Sequence, residues 1–210
     1  MSVDTKLTKT PYTKETYTQE QVLELAKCMQ DPLYFIEEYC WIQHPTKGRM
    51  KFKLFDYQKE LIKSYHDYRY SIALISRQMG KSTAAGAYLL WYSMFMQDQT
   101  ILIAAHKYSG AQEIMQRIRF SYELLPNFIR AGVVSYNKGS IEFDNGSRII
   151  AQATTDNTGR GLSISLAYLD EFAFVRPSIA REFWTALSPT LSTGGKCIIT
   201  STPNQDDDQF

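Results

Sequence analysis

Ser71-Ile-Ala-Leu-Ile75, followed without a break by Ser76-Arg-Gln-Met-Gly-Lys-Ser-Thr83, sets an apolar run against a glycine-lysine-hydroxyl turn, and Thr83-Ala-Ala-Gly-Ala-Tyr-Leu-Leu-Trp91 continues in helix formers. The first run reads as a strand covered on both faces, and the last as a helix. The turn between them therefore sits at a helix N-terminus, where unpaired backbone N–H groups and the positive end of the dipole favour an anion. Lys81 can reach the outer phosphates of a nucleotide, and the Ser82 hydroxyl can ligate a magnesium ion that bridges them. The spacing departs from G-x-x-x-x-G-K-[ST] at one place, because the first glycine falls on Ile75 and only Gly80 remains.

Leu166-Ala-Tyr-Leu169 is a second apolar run, and it ends in two adjacent acids, Asp170 and Glu171. Carboxylates at the C-terminal edge of a parallel strand line the ligand crevice of an open α/β sheet. The spacing places Asp170 to hold a magnesium ion through its water shell, and Glu171 to polarise the water that attacks a γ-phosphate. Upstream, Phe52-Lys-Leu-Phe-Asp-Tyr-Gln58-Lys-Glu-Leu-Ile62 reads as a short amphipathic helix, with the Gln58 amide able to pair with an adenine edge, which favours ATP over GTP. Tyr57 reads equally as a ring stacked on the base or as an aromatic on a buried helix face. Downstream, Gly195-Lys-Cys-Ile-Ile-Thr200 is another strand and runs into Ser201-Thr-Pro-Asn204, where the Thr202 hydroxyl and Asn204 amide could sense the γ-phosphate.

The order Asp56-Tyr-Gln58, Ser76-Arg-Gln-Met-Gly-Lys-Ser82, Tyr168-Leu-Asp-Glu-Phe-Ala-Phe174 and Thr200-Ser-Thr-Pro-Asn204 resembles the ATPase domain of the large terminase subunit of tailed bacteriophages. The likeness runs from about Asp31 to Asn204, and the Arg-Gln-x-Gly-Lys-Ser form without its first glycine is characteristic of that family. The resemblance implies an α/β P-loop NTPase of the ASCE type: a mostly parallel central sheet flanked by helices, with an inserted β-hairpin. It implies ATP and Mg2+ bound by Tyr57, Gln58, Ser76, Arg77, Gln78, Met79, Gly80, Lys81, Ser82, Thr83, Thr202 and Asn204. Ser82 and Asp170 are then the metal residues and Glu171 the catalytic acid. Residues Thr200 to Asn204 become the motif that couples hydrolysis to movement. Two arginines compete for the role of finger on the transferred phosphoryl group, Arg77 within its own loop and Arg160, in Thr158-Gly-Arg-Gly-Leu162, offered to a neighbouring subunit; Arg160 reads equally as a surface arginine in a glycine-flanked loop. The implied setting is the infected bacterial cytoplasm, transiently at the procapsid portal. The implied partners are double-stranded DNA, a portal protein and a small terminase subunit. A ring of copies is expected on the procapsid and a monomer in isolation.

Composition agrees without selecting this reading. The 210 residues suit one α/β core, and 44% hydrophobic with 13% aromatic content argues against disorder. A net charge of +1 supplies no basic footprint, so DNA contact must come from local clusters; Lys107, Arg117, Arg119 and Arg148 are available. The three cysteines stand too far apart for metal-ligand spacing. No run is long enough to cross a bilayer.

Along the chain, residues 1–19 read as a flexible threonine- and lysine-rich arm, and residues 1–30 as that arm plus a first helix. Val22, Leu25, Ala26 and Met29 stand at helical spacing, Asp31-Pro32 breaks that helix, and another runs from Leu33 to Tyr39. His44-Pro-Thr-Lys-Gly48 reads as a loop, Thr100 to Ala104 as a strand, Ser109 to Leu125 as a long helix, and Pro177 to Leu187 as another. Asp144-Asn-Gly146, flanked by Ile141-Glu-Phe and Arg148-Ile-Ile-Ala151, is a hairpin signal. Residues 31–210 are expected to be an ATPase core without lid or nuclease domain, the tail Asp206 to Asp208 being solvated acids. Two other classes fit the same residues: a helicase or translocase of another lineage, which needs a second nucleotide-clasping domain, and a nucleotide-holding module without turnover.

Overall fold

The computed structural model describes residues 7–155, 158–159 and 161–204. Helix α1, Gln19–Gln30, begins at a capping box in which Thr18 accepts from the Gln21 backbone and the Gln21 side chain returns the bond. The Asp31 side chain accepts from Leu33 N–H and opens α2, Pro32–Tyr39. Strands β1, Trp41–His44, and β2, Gly48–Lys51, pair antiparallel as a separate hairpin. Then come α3, Asp56–Asp67, β3, Tyr70–Leu74, α4, Lys81–Phe95, β4, Thr100–Ala105, and α5, Tyr108–Glu123. Strands β5, Val133–Tyr136, β6, Ser140–Phe143, and β7, Arg148–Ala153, lead to β8, Leu166–Asp170. A single 3-10 turn, Phe172–Phe174, precedes α6, Pro177–Leu191, and β9, Lys196–Ser201.

The main sheet has the order β3-β9-β8-β4-β7-β6-β5. Its first five strands are parallel, and β6 and β5 continue it antiparallel. Alternation along the central strands buries both faces. Ile101, Ile103, Leu166 and Tyr168 face the larger core under α2, α4 and α5, while Leu102, Ala104, Ala167 and Leu169 face α6 through Phe183 and Leu187. Helix α4 is apolar almost all round, and Ala84 to Trp91 are buried, as a helix enclosed by the sheet, α2, α3 and α5 requires. At the sheet's open side, β3 leaves Tyr70, Ile72 and Leu74 exposed.

Several expectations from sequence are refined. The Asp144-Asn-Gly146 hairpin does form, with Gly146 at φ 81°, but its second strand pairs with β4, so it extends the main sheet instead of standing apart from it. Asn145 has a second task there: its side-chain amide donates to the carbonyls of Ser93, Met94 and Met96 and closes the end of α4. The stretch read as a loop, His44 to Gly48, is the turn of the β1–β2 hairpin. The described part of the N-terminal arm is held to the body. The Lys9 ammonium is buried against Glu15, Tyr17 and the Asn127 carbonyl, and the Lys9 carbonyl accepts from Val133 N–H on β5. On α1 only Cys28 is fully buried, and Val22, Ala26 and Met29 face outward.

Candidate active site

Strand β3 ends at Leu74 and α4 begins at Lys81, so Ile75 to Gly80 form a loop at the C-terminal edge of the parallel strands. Gly80 lies at φ 69°, and an added Cβ would sit 2.7 Å from Gln58 Nε2, so both backbone and space call for glycine. Gln78 also has positive φ, 62°. The loop exposes Ser76, Arg77, Gln78 and Met79, while Lys81 is buried and Thr83 half-buried behind it. Arg77 makes no hydrogen bond or ion pair with the described residues. Arg160 lies outside the described residues.

Helix α3 braces this loop. Tyr57 Oη donates to the Met79 carbonyl at 2.6 Å, and Gln58 Nε2 donates to the same oxygen at 3.2 Å. Gln58 Oε1 accepts from Phe55 N–H, so both ends of this buried amide are engaged by protein. Tyr57 stacks on Phe55, with centroids 5.8 Å apart, and walls a cleft of about 490 Å3 whose lining includes Glu60, Leu61, Ile75, Ser76 and Met79.

The acids arrive from β8, two places away in the sheet, with β9 between. Lys81 Nζ lies 2.6 Å from Glu171 Oε1, and Ser82 Oγ donates to Asp170 Oδ1 at 3.2 Å. The intervening β9 contributes its own end to the same group. Glu171 Oε2 accepts from Thr202 N–H at 2.9 Å, from Thr202 Oγ1 at 3.0 Å and from Ser201 Oγ at 3.3 Å. Asn204 Nδ2 donates to the Ala173 carbonyl, tying the turn after β9 to the turn after β8. Glu171 itself has φ 51°, a left-handed conformation that a residue with a side chain adopts only where its surroundings hold it.

Two functional contacts escaped the sequence reading. Tyr168 Oη, fully buried, donates to Asp170 Oδ1 at 2.9 Å, and Thr200 Oγ1 donates to the same oxygen at 3.0 Å. The signal for Tyr168 is its place two residues before Asp170 on a strand, which puts both side chains on one face. For Thr200 the signal is only that β9 lies beside β8, which a single sequence does not disclose.

Burial pushes the Asp170 carboxyl above the usual carboxylate range, and the neighbouring Glu171 charge adds to this against the opposing hydroxyl bonds. Burial would raise Glu171 as well, but the Lys81 ammonium and the Thr202 donors outweigh it and hold that carboxyl below its usual range. One ammonium thus faces two carboxylates, Asp170 buried and Glu171 half-buried. Asp170 and the Ser82 hydroxyl form a small, hard, oxygen-only donor pair with negative charge to spare, which suits a magnesium ion that takes its remaining ligands from water and phosphate. No helix of the described residues is long and apolar enough to cross a membrane.

Residues 72–208 match the family model described as the terminase large subunit, T4likevirus-type, N-terminal. Several solved structures share the fold, three of which follow. The large terminase of bacteriophage HK97 aligns with a TM-score of 0.68 at 21% identity, covering 86% of this chain and 39% of its own. A variant of the large terminase ATPase domain of Thermus phage P74-26 aligns at 0.64 with 22% identity, covering 75% and 68%. The large terminase of a thermophilic bacteriophage in complex with ADP aligns at 0.53 with 13% identity, covering 71% and 39%. The chain therefore spans well under half the length of two of these three proteins. The loop, the paired acids and a family match over more than half of the chain place it in the terminase large subunit family, within its N-terminal region.

Proposed function

We propose that this chain binds and hydrolyses ATP with magnesium, as the engine of a motor that moves double-stranded DNA into a procapsid with a portal protein and a small terminase subunit. One observation carries the reading: Lys81 and Ser82 from the β3–α4 turn meet Glu171 and Asp170 from β8 at 2.6 and 3.2 Å. In this reading the exposed loop N–H groups and Lys81 take the phosphates, and the cleft walled by Tyr57 takes the nucleoside. Gln58 contributes by fixing the loop through Met79. Ser82 and Asp170 would hold the magnesium, which supplies charge neutralisation between the outer phosphates when bound. Lys81 exchanges Glu171 for phosphate, and the released carboxylate orients and deprotonates the attacking water. Tyr168 and Thr200 keep Asp170 aimed at Ser82. Thr202, bonded to Glu171 through both backbone and hydroxyl, passes the change to the turn ending at Asn204.

Arg77, exposed on the loop beside Lys81, serves as the finger on the transferred phosphoryl group within its own chain. Turnover per chain is then independent of protein concentration, whereas a finger supplied by Arg160 of a neighbour makes it climb. Phosphate release with magnesium tests the whole reading. The wild type turns over, and Lys81→Ala loses both nucleotide binding and turnover. Full turnover by Lys81→Ala would overturn it.

A further inference from the structure

The β1–β2 hairpin carries a charge pattern that the nucleotide site does not use. Lys47, Arg49, Lys51 and Lys53 occupy alternate positions, and residues 43–53 contain no acid, although the whole chain carries a net charge of only +1. Within β2, Arg49 and Lys51 share a face and stand about 6.6 Å apart, and Lys47 sits in the turn before them, on the far side of Gly48 at φ 69°. Phe52 is buried and Met50 half-buried, as is Lys51, while Lys47, Arg49 and Lys53 are exposed. Opposite the cations in register stand Trp41, paired with Lys51, and Gln43, paired with Arg49.

The row is built, not merely exposed. The Lys51 ammonium lies 4.8 Å from the Trp41 ring centroid and 5.7 Å from that of Tyr39, which fixes its direction. At the tip, His44 Nδ1 accepts from the backbone of both Thr46 and Lys47 at 3.2 Å and holds the turn in one shape. The acids nearest the base, Glu37 and Glu38, are engaged by Lys59 and Lys53. Lys47 and Arg49 are exposed and have no side-chain partner among the described residues.

We propose that this hairpin is a sequence-independent contact for the phosphodiester backbone of double-stranded DNA, made by Lys47 and Arg49 at its tip. Cations gathered at the tip of a hairpin, with no acid among residues 43–53, complement a polyanion. Trp41 lies under the Lys51 ammonium, and none of the hairpin's large apolar residues is strongly exposed, so it has little to insert into a lipid surface. The inference rests on the DNA-motor reading for its partner, but its test does not depend on turnover.

Fluorescence anisotropy with short labelled duplexes of two unrelated sequences, across a salt series, measures it. Against wild type, Lys47→Ala/Arg49→Ala should weaken binding equally on both duplexes and flatten the slope of log K against log salt by about 2, one for each lost phosphate contact. Lys47→Arg/Arg49→Lys should keep the wild-type slope. ATP turnover without DNA should stay unchanged in both variants, which separates failure of this inference from failure of the motor reading. Acetylation of wild-type Lys47, followed by mass spectrometry, should be suppressed by duplex DNA and supplies the readout if the alanine variant does not fold. An unchanged slope, or Lys47 acetylated at the same rate with and without DNA, overturns the proposal. So does binding to phosphatidylglycerol vesicles but not to duplex.

Discussion

Replacing Glu171 by glutamine should tighten nucleotide binding while stopping turnover, because the carboxylate holds the ammonium of Lys81 that, in the proposed reading, takes phosphate. The ammonium is buried and sits 2.6 Å from Glu171 Oε1. A hydrogen bond to a charged group contributes about 1.5–3 kcal/mol. The Glu171 side chain is 31% exposed, so solvent screens the pair, and about 1 kcal/mol is a fairer figure for what phosphate must displace. Glutamine keeps the shape and leaves one oxygen for the Thr202 donors, but offers Lys81 no charge. At about 1.4 kcal/mol per tenfold, removing the competitor should lower the Kd for ATP roughly fivefold. Loss of the proton acceptor should cut turnover roughly a hundredfold to ten-thousandfold. Binding is read by anisotropy of a fluorescent ATP with magnesium, and turnover by phosphate release on the same preparation. Weaker binding than wild type would show that the ion pair does not oppose nucleotide, and undiminished turnover would remove Glu171 from the chemistry.

Asp170→Asn should melt above wild type at neutral pH when neither nucleotide nor magnesium is present. The folded carboxyl titrates above its ordinary value, so between the two values the folded chain binds more protons than the unfolded one and stability falls as pH rises through that window. The advantage of the variant should close as pH drops below the ordinary carboxylate range, and a gap that persists in acid would refute the argument. Tyr168→Phe keeps the buried ring but deletes a donor to Asp170, and should cost about 1–3 kcal/mol in denaturant unfolding; in the Asp170→Asn background the cost should shrink, and equal costs in both would show the hydroxyl acts elsewhere. Gly80→Ala brings a Cβ to 2.7 Å from Gln58 Nε2 at φ 69°, and should lose about 1–3 kcal/mol of stability together with nucleotide binding. A wild-type midpoint would mean the loop rearranges without cost.

Much of this was legible in the chain because the decisive signals are local. A strand, a turn and a helix start occur within Ser71 to Trp91, and Asp170 and Glu171 follow directly on an apolar run, so each half of the site declares itself. That the halves meet follows from a rule of open parallel sheets, not from any one residue. What stayed hidden depends on neighbours distant in sequence. Strand β5 offers four residues, Val133–Tyr136, without clean alternation, and its place is set by pairing with β6 and by the Lys9 carbonyl. The β1–β2 hairpin was masked because its alternation is of cations, which reads as a solvated loop until Phe52 is seen buried. The sequence offers the Gln58 amide to an adenine edge, whereas its bonds to Phe55 N–H and the Met79 carbonyl depend on the fold and are not legible in it.

The two oxygens of Glu171 are divided between two masters, Oε1 facing Lys81 and Oε2 gripped by Ser201 and Thr202. A carboxylate is rigid, so neither oxygen can swing without carrying the other. Whatever draws the ammonium away on one side is felt as a tug on the tip of β9 at the other, with no further moving part between. Under the proposed motor reading, this side chain is the rocker arm between fuel and displacement, mounted on a left-handed backbone.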